Sequence, residues 1–390
     1  MSSLVRLPLV VPSGPSHDVS SGPPAASPDG AWQAEVRGAI TSLEALEKVL
    51  RLTDDERDGV RHAMDAGFPL SITPYYASLM DADDPRCPVR RQAVPVRSES
   101  AEVPGDLRDP LGEEAHEVAP HLVQRYPDRA LLLATDRCSV YCRFCTRSRM
   151  VGQGGGAKPL SALEPAFAYL NAHPEVRDVI LSGGDPLVMS DARIESILLR
   201  LKEIPSVRWV RVATRTPVTL PQRITESVCR ALRAHPAVWV MTHFNHPKEL
   251  SPLSRAALAR LVDHGLPVMN QSVLLRGVND DAATLETLFT ELVASRVRPY
   301  YLLQADPVRG TGHLRTPLSR GLELMAALQG RVSGLAVPKF IVDTPGGMGK
   351  VPLVPESVVA RGPGTTTLRT WRGVDVDYVD PPSDCLPSPR

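Results

Sequence analysis

The sequence predicts an α/β fold in which parallel strand–helix units roll into a partial barrel, with a helical segment before it and a C-terminal extension after it. Three observations carry this expectation. Short apolar runs recur between about residue 130 and residue 343, helical stretches separate them, and polar or ionisable residues collect just past the runs.

Taken in order, residues 1–30 are rich in Pro, Ser and Gly ("PSGPSHDVSSGPPAASPDG") and predict a disordered leader. The apolar run in "LVRLPLVVPSGPS" is bracketed by Pro8 and Pro12, and no small-residue cleavage pattern follows, so it does not read as a signal peptide. Residues 31–115 form an N-terminal helical region and connection. From Trp32 to about Gly67, "AWQAEVRGAITSLEALEKVLRLTDDERDGVRHAM" has apolar residues at helical spacing, with Thr41 and Ser42 or Thr53 and Asp54 as helix starts. The Pro- and Arg-rich stretch "DADDPRCPVRRQAVPVRSE" follows, and its lone Cys87 reads as structural.

Residues 116–350 carry the strand–helix alternation. The apolar runs are "ALLLAT", "DVILSG", "WVRVAT", "VWVMTH", "PVMNQSV", "RPYYLLQ" and "PKFIVD". Between them lie "LEPAFAYLNAH", "ARIESILLRLKEI", "ITESVCRALRAH", "LSRAALARLVDHG" and "TLETLFTELVAS", the third of which places Cys229 in the core. Six or seven such units in a row predict a partial (β/α)6-type barrel. Residues 351–390 are left as a C-terminal extension.

Composition narrows the function. The 390 residues carry zero formal net charge and 5% aromatics, unlike a nucleic-acid binder with its basic surface and stacking platforms. No run approaches the roughly 20 apolar residues that span a bilayer. Six cysteines, three of them crowded together, suit a reducing, cytoplasmic setting in which clustered thiols bind metal or do redox work.

The strand ends point to a site. After successive runs come three cysteines, then "GGD", "TRT", "HFNH", Gln271, Asp306 and Asp343. In βα barrels the loops at the C-terminal strand ends hold the active site. Any one of these residues is better explained as a polar turn residue; the set along one edge is not.

The first loop reads "TDRCSVYCRFCTRSRM" and holds Cys138, Cys142 and Cys145. Four thiolates saturate a cubane 4Fe–4S cluster, whereas three leave one iron open to a small molecule. The alternatives are a Cys₃His zinc site, for which the next histidine, His173, is distant in sequence, and buried unligated thiols. Near the C-terminus, "FIVDTPGGMGKVPLVP" sets Lys350 behind three glycines in a chain that favours arginine. It does not fit the G-x-x-x-x-G-K-[ST] phosphate loop; a flexible phosphate-binding turn and a Schiff-base lysine both remain open.

The cysteine loop resembles that of radical S-adenosylmethionine (SAM) enzymes, and from about Trp32 to Val354 the chain is similar to the lysine 2,3-aminomutase family. The matching segments include "ITPYYASLM", "RQAVP", "RYPDRALLLATDRCSVYCRFCTR", "LSGGDPL", "RTPVTLPQRIT", "THFNHPKEL", "NQSVLLRGVND", "RPYYLLQADPVRGTGHLRTP" and "VPKFIVDTPGGMGK". The resemblance implies a radical SAM barrel, a 4Fe–4S cluster on Cys138, Cys142 and Cys145, and SAM on its open iron. Ser182, Gly183, Gly184 and Asp185 would lie along the SAM amino group, and His243 and Gln271 would line the cofactor pocket. Lys350 would carry pyridoxal 5′-phosphate (PLP), with Tyr126 stacked on its ring and Arg125 and Arg129 on its phosphate. Arg147 would pair with the substrate carboxylate, while Asp306 and Asp343 would receive the distal cation of a basic amino acid.

The implied reaction moves the α-amino group of a free amino acid to its β-carbon, converting L-lysine to β-lysine. L-arginine to β-arginine, a building block for specialised metabolites such as antibiotics, is the alternative. A third reading is a related radical SAM enzyme that acts with a protein partner. An electron donor such as flavodoxin or ferredoxin is expected, as is compatibility with a homo-oligomer. Well-known members also gather zinc through C-terminal cysteines, a pattern from which the ending "PPSDCLPSPR", with Cys385 alone, departs.

Overall fold

The computed structural model describes residues 30–381 apart from Pro69 and Gly154; the expected leader up to residue 29 and Cys385 lie outside the described residues. The N-terminal region folds into helices Ala31–Arg37, Leu43–Glu47, Asp54–Asp65 and Pro74–Ser78. Ser42 and Thr53 start the second and third, as their sequence positions predict. Thr53 and Glu56 form a reciprocal capping box, the Glu56 carboxylate accepting from Thr53 N at 2.8 Å and the Thr53 hydroxyl from Glu56 N at 3.2 Å. Glu56 turns inward and pairs with fully buried Arg90 at 2.7 Å, so the helix and the connection are tied together. Cys87 is buried in that connection and accepts from Asp81 N at 3.3 Å, a structural role.

A ten-stranded sheet follows, its strands adjacent in chain order. It comprises β1 (Glu117–Ala119), β2 (Leu122–Tyr126), β3 (Arg129–Thr135), β4 (Asp178–Gly183), β5 (Trp209–Ala213), β6 (Val238–Thr242), β7 (Val268–Leu274), β8 (Arg298–Gln304), β9 (Lys339–Thr344) and β10 (Gly349–Leu353). Strands β3 to β9 are parallel, seven strands that match the seven apolar runs of the sequence. Antiparallel strands flank them: β1 and β2 on one side, β10 on the other. β1 and β10 do not pair, so the barrel is open.

The longer crossover helices bury one face at the spacing i, i+3, i+4, i+7, as Leu163, Ala166, Phe167 and Leu170 do in Leu160–Ala172. Ile194, Ile197, Leu198 and Leu201 repeat it in Asp191–Lys202, and Leu285, Leu288, Phe289 and Leu292 in Ala282–Ala294. Each such side chain contributes about 2 kcal/mol when withdrawn from water. Ser190, Thr225, Ser251 and Asp281 cap the helices that follow β4 to β7, which fixes where each loop ends. Cys229 is fully buried in Glu226–Leu232.

Three parts differ from the sequence expectation. A sixth crossover helix, Leu318–Leu328, connects β8 to β9, and Lys350 lies on β10 rather than in a flexible loop. The C-terminal extension also has structure: β11 (Val358–Gly362), β12 (Thr365–Arg369) and β13 (Asp375–Val379) make a separate antiparallel sheet. Among the described residues no helix is long and apolar enough to cross a membrane.

A segment of the connection runs between the two sides of the opening. Leu107 pairs with the loop after β8 through Leu107 N to Pro307 O at 2.8 Å, and Pro110 O accepts from Gly346 N at 3.0 Å.

Candidate active site

The cysteine loop leaves the end of β3 and is held from several sides. Tyr141 N donates to Ser71 O at 3.0 Å and Arg143 N to Gln92 O at 2.9 Å, which anchors the loop to the N-terminal region. From β4, Gly184 N donates to Thr135 O at 2.6 Å and Asp185 N to Arg137 O at 2.7 Å. This contact requires glycine: a Cβ on Gly183 (φ +115°) would sit 2.1 Å from Thr135 O, and one on Gly184 2.2 Å from Arg137 O. The Asp185 carboxylate is buried and accepts from Leu187 N, Thr214 Oγ1 and Arg215 N at 3.0, 2.7 and 2.7 Å. It therefore clamps the ends of β4 and β5, and the glycine pair carries the cysteine loop on its backbone.

Burial and mutual repulsion act on the thiols. Burial lifts Cys138 well above the ordinary thiol range, with Asp185 and the other two cysteines adding to it, and lifts Cys145 to about 11. Cys142 faces a fixed cation, because Arg215 Nη1 lies 2.7 Å from its sulfur. Three thiols on one loop, short of a fourth ligand and backed by a cation, fit an iron–sulfur cluster that spreads charge over several irons.

The lysine end is built on a hairpin. β9 and β10 pair so that Lys350 stands opposite Asp343, and the Lys350 ammonium contacts the Asp343 carboxylate. Arg125 reaches the same carboxylate with both terminal nitrogens, at 3.4 and 3.3 Å, and donates to Leu111 O at 3.0 Å. The Tyr126 hydroxyl accepts from Lys350 N at 2.8 Å. Arg129 lies 3.6 Å over the Tyr126 ring, leaving that tyrosine a covered face and a fixed edge. One amine in reach of several cationic and aromatic groups fits a phosphate-bearing aldehyde such as PLP.

The two acids that the sequence pairs are not equivalent. Asp343 already has two cations, whereas the Asp306 carboxylate accepts no hydrogen bond among the described residues. Burial first, then the charge of Asp343, push Asp306 up to about 7, against the pull of Lys350 and Arg125. A cation is what this position lacks.

Arg147 forks onto Glu113 at 3.0 and 2.7 Å and reaches Ser182 Oγ at 3.4 Å. Burial opposes ionisation of Glu113, but Arg147 and Arg149 outweigh it and hold the carboxyl below its usual range. His243 stacks on Phe144 with ring centroids 5.5 Å apart. Burial, helped by Arg215, lowers it to about 3, so the ring is neutral.

Every residue singled out above as a candidate lines one cavity of about 630 Å³: the three cysteines, Ser182 to Asp185, Arg125, Tyr126, Arg129, Arg147, His243, Gln271, Asp306, Asp343 and Lys350. The structure adds Glu113 and Arg215. Arg215 stands within the "TRT" stretch, noted only as a group; Glu113 comes from the irregular connection, where no periodicity marks it.

The chain is similar to known proteins. The Radical SAM superfamily pattern matches residues 132–288, and the Lysine-2,3-aminomutase pattern matches residues 325–388. The chain is 45% identical over 350 residues to L-lysine 2,3-aminomutase of Fusobacterium nucleatum subsp. nucleatum, covering 90% of this chain and 82% of that one. It is 46% identical to L-lysine 2,3-aminomutase of Clostridium subterminale, covering 90% and 84%. Glutamate 2,3-aminomutase of Clostridioides difficile is 40% identical, covering 90% and 82%.

Proposed function

The chain belongs to the lysine 2,3-aminomutase family of radical SAM enzymes, and from that premise we propose that it moves the α-amino group of a free basic L-amino acid to the β-carbon, with L-lysine as substrate. The observation that carries the choice of a basic substrate is Asp306: a buried carboxylate with no cation of its own, beside Asp343 in the same cavity. A glutamate side chain would add a third negative charge there. Two of the three relatives above are named for L-lysine, and the third is named for glutamate.

When bound, the 4Fe–4S cluster and SAM supply a hydrogen-abstracting radical, and PLP supplies the conjugated system through which the amino group migrates. The residues of this chain hold and orient. Cys138, Cys142 and Cys145 would ligate three irons, and the edge formed by Ser182, Gly183 and Gly184 would flank the SAM amino group, with His243 and Gln271 beside it. Lys350 would hold PLP, Tyr126 would support its ring, and Arg125 and Arg129 would take its phosphate. Arg147 would exchange Glu113 for the substrate carboxylate, a fork-to-fork contact of the same kind.

Charge balance links these steps. With Lys350 and Arg125 given over to holding PLP, Asp343 would be freed of both its present partners and would join Asp306 as an acceptor for the distal cation of the substrate. Groups fixed around the substrate would keep a reactive radical on its path. The enzyme would draw single electrons from a donor such as flavodoxin or ferredoxin in a reducing cytoplasm.

L-arginine is the second reading, favoured by one observation. Asp343 already accepts a guanidinium, that of Arg125, through both carboxylate oxygens. Anaerobic incubation of the reconstituted enzyme with L-lysine and with L-arginine, with products identified by mass spectrometry, tests both. Formation of β-lysine is the expected result, β-arginine alone selects the second reading, and turnover of neither ends the basic-substrate proposal.

A further inference from the structure

Arg215 is buried, and no motif assigned to the cofactors or the substrate uses it. Its two terminal nitrogens face different neighbours. Nη1 is directed at Cys142 Sγ, 2.7 Å away, and Nη2 donates to Glu249 Oε1, Tyr76 OH and Gln92 Oε1 at 2.8, 2.9 and 2.5 Å. Its backbone N is held by Asp185 at 2.7 Å, and the guanidinium packs over Phe144 and Tyr76.

Glu249, fully buried, is a rigid counter-charge. Its Oε2 accepts from Asn245 N at 2.7 Å and His246 N at 2.9 Å, while Oε1 also accepts from Tyr76 OH at 2.8 Å and Gln92 Nε2 at 3.2 Å. Neither side chain has room to turn. A guanidinium keeps its charge at any working pH, so a permanent cation is fixed against one cysteine of three, and the Glu249 carboxylate stands behind it.

We propose that the Glu249–Arg215 pair is a positioning device that sets the reduction potential of the iron–sulfur cluster held by Cys138, Cys142 and Cys145. Cluster potentials respond to net charge and to hydrogen bonds at the sulfurs. The electron enters from a low-potential one-electron donor and makes the cluster more negative by one charge. A hydrogen-bonded cation at Cys142 stabilises that reduced state; the anion behind it, farther from the sulfur, trims the effect. Arg215 thus makes reduction easier and Glu249 limits how much easier. This rests on the cluster reading above.

The test is an anaerobic dithionite titration of the full-length, cluster-loaded protein without SAM, with the reduced cluster followed by electron paramagnetic resonance and iron and sulfide measured in parallel. Arg215→Gln should shift the midpoint to more negative potential at unchanged cluster content. Arg215→Lys, which keeps the charge, should fall between that variant and the parent. Glu249→Gln, which touches no cysteine, should shift the midpoint the opposite way. Unchanged midpoints, or shifts of the same sign for Arg215→Gln and Glu249→Gln, overturn the proposal. If Arg215→Gln alone loses its cluster, the signs of the Arg215→Lys and Glu249→Gln shifts decide. Loss of the cluster from all three variants also overturns it, since the pair would then serve assembly. A parent protein that itself takes up no iron and sulfide sinks the cluster reading instead.

Discussion

Lys350 and Asp343 are directly opposed residues of one antiparallel hairpin, and their side chains meet on the cavity side of it. Cross-strand partners of this kind share a face of the sheet. The register of β9 and β10 therefore delivers the amine and the carboxylate together.

That pairing makes Lys350 the amine to trap. Borohydride reduction of the PLP-treated protein, followed by peptide mapping, should place a pyridoxyl group on Lys350. Lys350→Ala should take up no covalent PLP and lose turnover while keeping its iron and sulfide. An adduct at another lysine refutes the assignment.

Asp306 should leave a signature in the pH dependence of stability. Folding raises its pKa to about 7, so between the ordinary carboxylate range and that value the folded state keeps a proton that the unfolded chain has released. Stability from this group is fully present below the unfolded pKa and falls as pH rises through about 7. Asp306→Asn should raise the melting temperature of the cofactor-free protein at pH 8 and change it little at pH 4, a difference on the order of a few kcal/mol. Calorimetry at the two pH values checks this, and an equal effect at both contradicts it.

The same substitution should act oppositely on catalysis. Without the carboxylate, a charged hydrogen bond to the distal cation is lost, about 1.5–3 kcal/mol. kcat/KM for L-lysine should fall roughly 10- to 100-fold. Reductive cleavage of SAM without substrate should be unaffected. Parallel losses in both assays would mean a general structural defect.

Gly184→Ala should act on the cysteine loop. The added Cβ would lie 2.2 Å from Arg137 O, and backbone rather than a flexible side chain would have to move. The expected outcome is a folded protein, destabilised by roughly 1–3 kcal/mol, that retains little iron and sulfide after reconstitution. Full cluster content would show that the loop tolerates the displacement.

The parallel strands were legible because each is an apolar run bounded by polar residues, and the crossover helices because their buried faces repeat at 3.6-residue spacing. Leu318–Leu328 was harder to see: Pro317 caps it without a side-chain signal, and Gly321 interrupts it. β10 reads "GKVPL", whose Gly and Pro argue against a strand unless it lies on an edge, as it does. The strands β11 to β13 have mostly exposed residues, so no buried face marks them. At the site, residue types at strand ends located the cavity, but the pairings did not follow. Glu113 meets Arg147 and Cys142 meets Arg215 only after distant segments fold together, and local sequence holds no record of either contact.

The turn before β10 also has an arithmetic consequence. Strand side chains alternate with a period of two, so adding or deleting a single residue among Pro345–Gly347 or at Met348 would swing Lys350 to the outer surface. The barrel and the cysteine loop could fold as before, yet the amine would face bulk solvent. Length in this turn is therefore constrained more tightly than composition, and indels there should be silent for folding and fatal for turnover.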